Sequence, residues 1–386
     1  MNGTERGRLA GASTARVRAV DVPEAAAHAT PALGAELSAP RRRLLTWWLL
    51  SGAVLTFAML MVGGITRLTQ SGLSIVEWAP LMGVFPPVGE AQWQEAFDAY
   101  KRFPEYQQLR PDMTLAEYRF IFYWEYAHRL LARAIGVVFL VPFLAFLARG
   151  YLRRPLFLRL LLLFGLGALQ GLMGWLMVAS GLVDRPSVAH ERLAAHLLLA
   201  FTIFGVCLWT AADLWPGLVV RGRDAWRWTR RTRAWLVVFG VLLVVQVTYG
   251  AFVAGLDAGL AFNTWPRMAG GWLPPGAWRL EPPLRNLLDN IATVQWLHRT
   301  LPALLLVMAL GLLIAARRPV AGAGGRHRAL AVALLVAILV QAGLGIATLP
   351  AFVPVLLAAM HQAMALLLFG VWLAWSHTLS RARLAA

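Results

Sequence analysis

The sequence predicts an all-α integral membrane protein: eight transmembrane helices arranged as two pseudo-symmetric four-helix bundles. Three observations predict it, namely an apolar composition, eight apolar runs of spanning length, and an internal repeat. Of the 386 residues, 59% are hydrophobic and 14% charged, whereas soluble domains carry roughly 25% charged residues. Crossing roughly 30 Å of hydrocarbon at 1.5 Å per residue takes about 20 apolar residues. Runs of that length fall at 44–66, 120–146, 156–180, 191–215, 234–255, 291–316, 329–349 and 355–379.

Residues 1–43 precede the first run, are rich in Ala, Pro and Arg, and read as a disordered cytoplasmic tail rather than a cleavable signal peptide. The net charge of +17 does not point to nucleic acid, because the arginines cluster between alternate spans. Arg41–Arg43 precede span one, Arg149, Arg153 and Arg154 follow span two, six arginines from Arg221 to Arg233 follow span four, and Arg317, Arg318, Arg326 and Arg328 follow span six. The positive-inside rule makes those segments cytoplasmic. The expected protein is therefore multi-pass in the cell inner membrane, with both termini inside. The segment 67–119 holds Glu77, Glu90, Glu95, Asp98, Glu105, Asp112 and Glu117 and is expected outside. Cys207, the single cysteine, has no disulfide partner in the chain and reads as a small buried residue.

The repeat divides the chain into a first bundle at 44–215, a linker at 216–233 and a second bundle at 234–380. Gly72 and Gly259, Trp78 and Trp265, and Pro87 and Pro274 are each 187 residues apart. Glu125-Tyr126-Ala127-His128-Arg129 matches Gln295-Trp296-Leu297-His298-Arg299 at an offset of 170, and Gln170 with Gly171 to Gly174 matches Gln341 with Ala342 to Gly345. His196 matches His361 at an offset of 165. Four helices repeated in one orientation imply a pseudo-two-fold axis along the membrane normal.

His128, His196, His298 and His361 fall early in spans two, four, six and eight, all of which run inward. At 1.5 Å per residue they form one layer within roughly 12 Å of the outer helix ends. Ionisable groups inside a membrane are costly and mark function. One such histidine reads as an interhelical hydrogen bond; four at equivalent places read as ligands. Neutral imidazole is a common axial ligand for haem iron, so His128 with His196, and His298 with His361, each suit one porphyrin. Zinc or copper is the rival, but no cysteine or carboxylate cluster accompanies the histidines. Arg67, Arg129, Arg192 and Arg299 lie at the same level, suited either to haem propionates or to ordinary snorkelling. His28 and His327 are placed in cytoplasmic polar segments and His377 at the inner end of span eight, without a role; His190, beside Glu191 in an outer loop, is placed on the surface, the other reading being a part in handling propionates or protons.

The repeat breaks at Glu125, three residues before His128, where the second half has Gln295. Positions i and i+3 share a helix face, so Glu125 is expected to look toward the haem of His128. It serves there either as a proton acceptor or electrostatic group, or as a salt-bridge partner of Arg129.

Long stretches carry a family resemblance: Gly63-Gly64-Ile65-Thr66-Arg67-Leu68-Thr69 through Ser71 to Trp78, Trp124 to Arg129, Ala168 to Trp175, Arg192 to His196, Gly250 to Gly259 with Asn263, Val294 to Arg299, Leu344 to Leu349, and His361-Gln362. From about residue 45 to 378 the chain resembles the haem A synthase family, membrane enzymes of cytochrome oxidase assembly that oxidise the C8 methyl of haem O to the formyl of haem A. The resemblance implies an oxidoreductase with haem O as substrate. It implies a haem b cofactor held by His298 and His361, a substrate haem faced by His128 and His196, and Glu125 in the chemistry. Haem O synthase and cytochrome oxidase assembly factors are the partners it implies, besides the lipid bilayer. A homo-oligomer is compatible with the apolar helix faces. The chain departs from some members in lacking Cys pairs in the outer loops, and in having Ala179 and Ala189 where Lys and Ser are expected. A di-haem b-type electron-transfer cytochrome is the alternative, as is a transporter built on the repeat. The first needs two equivalent sites, and the second needs broken helices at the midplane.

Overall fold

The computed structural model describes residues 33–34, 36–76, 85–181, 187–215, 219–220, 223–317, 324–381 and 383–384. Most of the expected tail lies outside the described residues. Eight long helices form where the apolar runs lie: α1 (Ala39–Leu68), α4 (Leu115–Ala148), α5 (Arg154–Gly181), α6 (His190–Asp213), α7 (Arg223–Gly255), α8 (Ile291–Ala316), α9 (Gly324–Thr348) and α10 (Val355–Ser380). Each has a stretch long and apolar enough to cross a membrane, and a helix satisfies its own backbone in lipid. Two short helices, α2 (Gly89–Tyr100) and α3 (Pro104–Leu109), precede α4. The two-residue strands Val219–Val220 and Arg383–Leu384 pair in parallel.

The helix ends run past the apolar runs for local reasons. α1 begins at Ala39, five residues before the expected span, with Pro40 in its first turn, where proline loses no hydrogen bond; Arg41–Arg43 are thus helical rather than tail. Thr114 and Glu117 form a reciprocal capping box that starts α4, and the Asn290 side chain accepts from the amides of Ala292 and Thr293 to start α8. Such caps satisfy otherwise orphaned backbone donors.

In the first half α1 packs on α4 and α6, and α5 on α6; in the second half α7 packs on α8 and α10, and α9 on α10. α8 also packs along α9, whereas the matching α4 and α5 do not and touch through Phe139, Phe143, Phe157 and Phe164. The halves join through α1 on α10, α6 on α7 and α6 on α10. Gln362 of α10 donates to the Leu60 carbonyl of α1 at 3.1 Å and lies over Gly64, where a Cβ would come within 2.5 Å of Oε1.

The end of the bundle that carries α2 and α3, here the loop end, is unlike in the two halves. In the first, Trp93, Phe97 and Tyr100 of α2 bury themselves against Tyr118, Ile121 and Phe122 of α4, and the Tyr118 hydroxyl donates to the Ser74 carbonyl at 3.2 Å. In the second, the chain between α7 and α8 makes two 3-10 turns, Ala258–Leu260 and Pro283–Leu287.

At the opposite, arginine-rich end, Asp213 of α6 is buried and accepts from Arg381 at 2.6 Å and from His377 at 2.8 Å, and pairs with Arg159. His377, for which the sequence suggested no part, thus belongs to a cross-half polar lock. His327 is likewise not in a solvated segment: it is buried in α9 and accepts from the Trp375 indole at 3.2 Å, since a buried indole needs an acceptor. Cys207 is buried in α6 as expected.

Candidate functional site

The four layer histidines sit on alternate spans, His128 on α4, His196 on α6, His298 on α8 and His361 on α10. Each ring is met by a glycine of the span before it. A Cβ at Gly63 would lie 2.9 Å from His128, at Gly174 3.2 Å from His196, at Gly250 3.1 Å from His298, and at Gly345 2.8 Å from His361. Any side chain there would push on the imidazole, because such approaches lie below ordinary van der Waals contact. The repeat is therefore spatial as well as sequential at this level.

Three of the rings also meet a glutamine one turn before their glycine. Gln170 Nε2 donates toward His196 Nε2 at 3.2 Å and to the His196 carbonyl at 3.1 Å. Gln246 Nε2 donates toward His298 Nδ1 and to the His298 carbonyl, each at 3.0 Å. At His361 the Nδ1–H donates to the Gln341 carbonyl at 3.1 Å, with the Gln341 amide 3.4 Å from Nε2. The sequence reading noted Gln170 and Gln341 as repeat markers and missed Gln246; the signal was available as a Gln four residues before each of these glycines.

The rings of His298 and His361 stand 6.3 Å apart centre to centre with planes at 88°. Two imidazoles binding one metal from opposite sides, through bonds of about 2 Å, stand roughly 6 Å apart. Among the described residues no such ring contact joins His128 and His196.

Glu125 is buried, and its carboxylate is surrounded by donors. Oε2 accepts from the Ser74 hydroxyl and the Ile75 amide, both at 2.8 Å, and Oε1 accepts from Arg129 at 2.6 Å. The ion pair that the sequence allowed is thus present, together with two donors supplied by the loop after α1. Arg129 also donates to the Ile75 carbonyl at 2.8 Å. In the second half Arg299 donates to the carbonyl of Phe262, the residue 187 places on from Ile75, and Gln295 donates to that same carbonyl at 3.1 Å. One frame therefore presents a carboxylate in one half and an amide in the other.

Arg67 reaches from α1 into the second half, where it donates to the Ala254 carbonyl and pairs with Asp257 at 2.9 Å. Arg192 donates to the Leu176 carbonyl. Arg299 adds a bond to the Thr264 carbonyl, yet its Nε is buried without a hydrogen-bond partner. His190 is not on the surface as expected: it is buried between Glu191 and Asp289, 3.6 and 3.5 Å away, with Gly255 against its Cβ. The small residue at 255 lets the start of α6 sit on α7.

Above Glu125, in the loop end, Glu105 of α3 is buried. Burial pushes its carboxyl up to about 7, with Arg110 opposing the rise and the Glu125 charge adding to it. The Tyr100 hydroxyl and Glu105 Oε2 are both buried without a hydrogen-bond partner. Only the fold brings this second acid near the first.

Residues 46–373 match the cytochrome oxidase assembly protein family COX15-CtaA. Among curated proteins, the chain is 49% identical to the heme A synthase of Bradyrhizobium sp. (strain ORS 278) over 348 residues, 88% of this chain and 92% of that protein. It is 47% identical to the heme A synthase of Nitrosospira multiformis over 86% of this chain and 93% of that one. With the heme A synthase of Caulobacter vibrioides it shares 43% identity over 89% and 98% of the respective chains. The layered histidines, their glycine seats and the single carboxylate frame thus stand in a chain that belongs to the COX15-CtaA family of cytochrome oxidase assembly proteins.

Proposed function

We propose that this protein is an oxidoreductase of the inner membrane that converts the C8 methyl of haem O to the formyl of haem A. The loop end faces outward and both termini face the cytoplasm. The first bundle, 44–215, takes the substrate haem between His128 and His196. The second, 234–380, holds a resident haem b between His298 and His361. The residues would fit that cofactor: the His298 and His361 rings stand 6.3 Å apart, and each lies on a glycine that leaves room for the ring. When bound, haem supplies one-electron redox chemistry.

The observation that carries the reading is the inequivalence of Glu125 and Gln295 within one frame. A di-haem electron carrier has use for two equivalent sites; an enzyme needs a reactive group at one. The Ser74, Ile75 and Arg129 donors hold the Glu125 carboxylate in one orientation and compensate its charge in place. In this role Glu125 accepts a proton from the reacting methyl group or stabilises positive charge that develops there. His128 and His196 orient the substrate, and the guanidinium groups of Arg67, Arg129 and Arg299, whose planar shape suits carboxylates, are the partners proposed for its propionates and those of haem b. Haem O synthase, which supplies the substrate, and oxidase assembly factors, which take the product, are the expected partners.

The test is Glu125→Gln, which copies Gln295. The variant is expected to assemble with haem b in place and to accumulate haem O, its rate lowered about 10²–10⁴-fold. Wild-type haem A yield overturns the role, and loss of all haem assigns Glu125 to structure.

A further inference from the structure

We propose that Met59 is a positioning residue that makes the first-half haem exchangeable, by leaving His128 without the glutamine anchor its three counterparts have. This deepens the reading in which His128 faces the substrate, and rests on it. The register is set by contact rather than by sequence alone. Gly63 and Gly250 are 187 residues apart and touch His128 and His298 respectively; one turn earlier on the same faces stand Met59 and Gln246. Gln246 binds both the ring and the carbonyl of His298, Gln170 does the same at His196, and at His361 the Gln341 amide stands 3.4 Å from Nε2 while its backbone carbonyl accepts from Nδ1–H. Among the described residues no hydrogen bond reaches the His128 ring. Met59 is half-buried, and a thioether accepts weakly and donates nothing.

The three glutamines have a further property in common: Oε1 of Gln170, Gln246 and Gln341 is buried without a partner. A half-turn of the amide would bring that oxygen round to a ring N–H, in exchange for the bond that Nε2 of Gln170 and Gln246 makes to the histidine carbonyl. Groups that hold the outer nitrogen of a ligating imidazole fix its orientation and raise its basicity, and losing one costs about 10–100-fold in metal affinity. A resident cofactor benefits from that hold at both ligands. A substrate that must leave as product does not, and the chain omits the hold at one of the two substrate-side ligands.

The test is an exchange measurement on the full-length protein with haem b bound. Protein loaded with haem O is mixed with excess apomyoglobin, and haem transfer is followed by absorbance and by pigment extraction. Met59→Gln is expected to slow haem O release about 10–100-fold with haem b retention unchanged, and Met59→Leu, which changes shape without adding an amide, to release at the wild-type rate. Gln246→Met should loosen haem b instead. Wild-type release from Met59→Gln in protein with normal haem b overturns the proposal, as does equal slowing by Met59→Leu. His128→Ala separates the two levels: if it leaves haem O binding intact, the assignment of His128 to the substrate fails. If it abolishes binding while Met59→Gln changes nothing, the proposal for Met59 alone fails.

Discussion

The two halves of this chain share a helix order and a histidine layer but differ in four physical respects. In the second half α8 packs along α9, and the His298 and His361 rings meet edge to face with centres 6.3 Å apart. In the first, α4 and α5 do not pack along their lengths, and a carboxylate replaces an amide beside the histidine. The loop end of the first half is further built up by α2, α3 and their aromatic contacts with α4. On the proposed reading, the difference teaches how a duplicated scaffold divides its labour: a holding site where helices close and histidines are anchored, and a working site where one anchor is dropped and one acid is added.

The comparison breaks first at the ligands. His298→Ala or His361→Ala is expected to remove nearly all haem b and, because a cofactor that binds only the folded state stabilises it by mass action, to lower the melting temperature in detergent. His128→Ala should keep haem b. Equal haem b loss from both halves, measured by pyridine haemochrome, would make the halves equivalent. Next comes the reciprocal exchange. Glu125→Gln with Gln295→Glu moves the acid into a frame that offers it a carbonyl rather than Ser74 and Ile75 donors, so haem A formation should stay about 10²–10⁴-fold down. Recovery of activity in the double variant would show that either half supports the chemistry.

A smaller effect is expected at the glycine seats. In Gly345→Ala the new methyl would meet His361 at 2.8 Å and displace its ring, which on the proposed reading weakens haem b retention by about 10-fold. Gly311→Ala, which meets no atom within 4 Å, should change nothing, and equal effects at the two positions would refute the seat. The smallest effect concerns pH at the loop end. The Glu105 carboxyl is raised to about 7 from an ordinary 4.5, so the folded segment binds the proton more tightly than the unfolded one. Stability is therefore greatest below the ordinary value and falls as pH rises toward 7. Amide exchange in α2 and α3 should quicken across that window, and Glu105→Gln should flatten the profile. An unchanged profile in the variant would exclude Glu105 as the titrating group.

Much of this was legible before any coordinates. Hydrocarbon thickness imposes a span length, so apolar runs placed all eight long helices to within a few residues at most ends. Repetition of His, Gly and Trp placed the four histidines on alternate spans, and the break at Glu125 stood out because His128 and Arg129 beside it recur as His298 and Arg299. The boundary at residue 43 was misplaced because Arg41–Arg43 look like tail by charge while Pro40 starts a helix. His190 and His327 were misread because a polar residue near a span end looks solvated until its neighbours are known.

The sequence by itself determined the spans, their number, the repeat and the one asymmetric acid, since each follows from local composition or from comparing the chain with itself. Only the tertiary structure decided which faces meet. Lipid is as apolar as a leucine side chain, so apolar patterning marks a helix as membrane-spanning without saying which neighbour it packs on. The Asp213 lock with Arg159, His377 and Arg381, the Arg67–Asp257 pair between halves and the burial of Glu105 near Glu125 all join residues far apart in the chain. The glutamine anchors, and the methionine that stands where the fourth would be, acquire meaning only when Gly63 and Gly250 are seen against their histidines. Close backbone approach is a property of packed pairs, and no single helix encodes its partner.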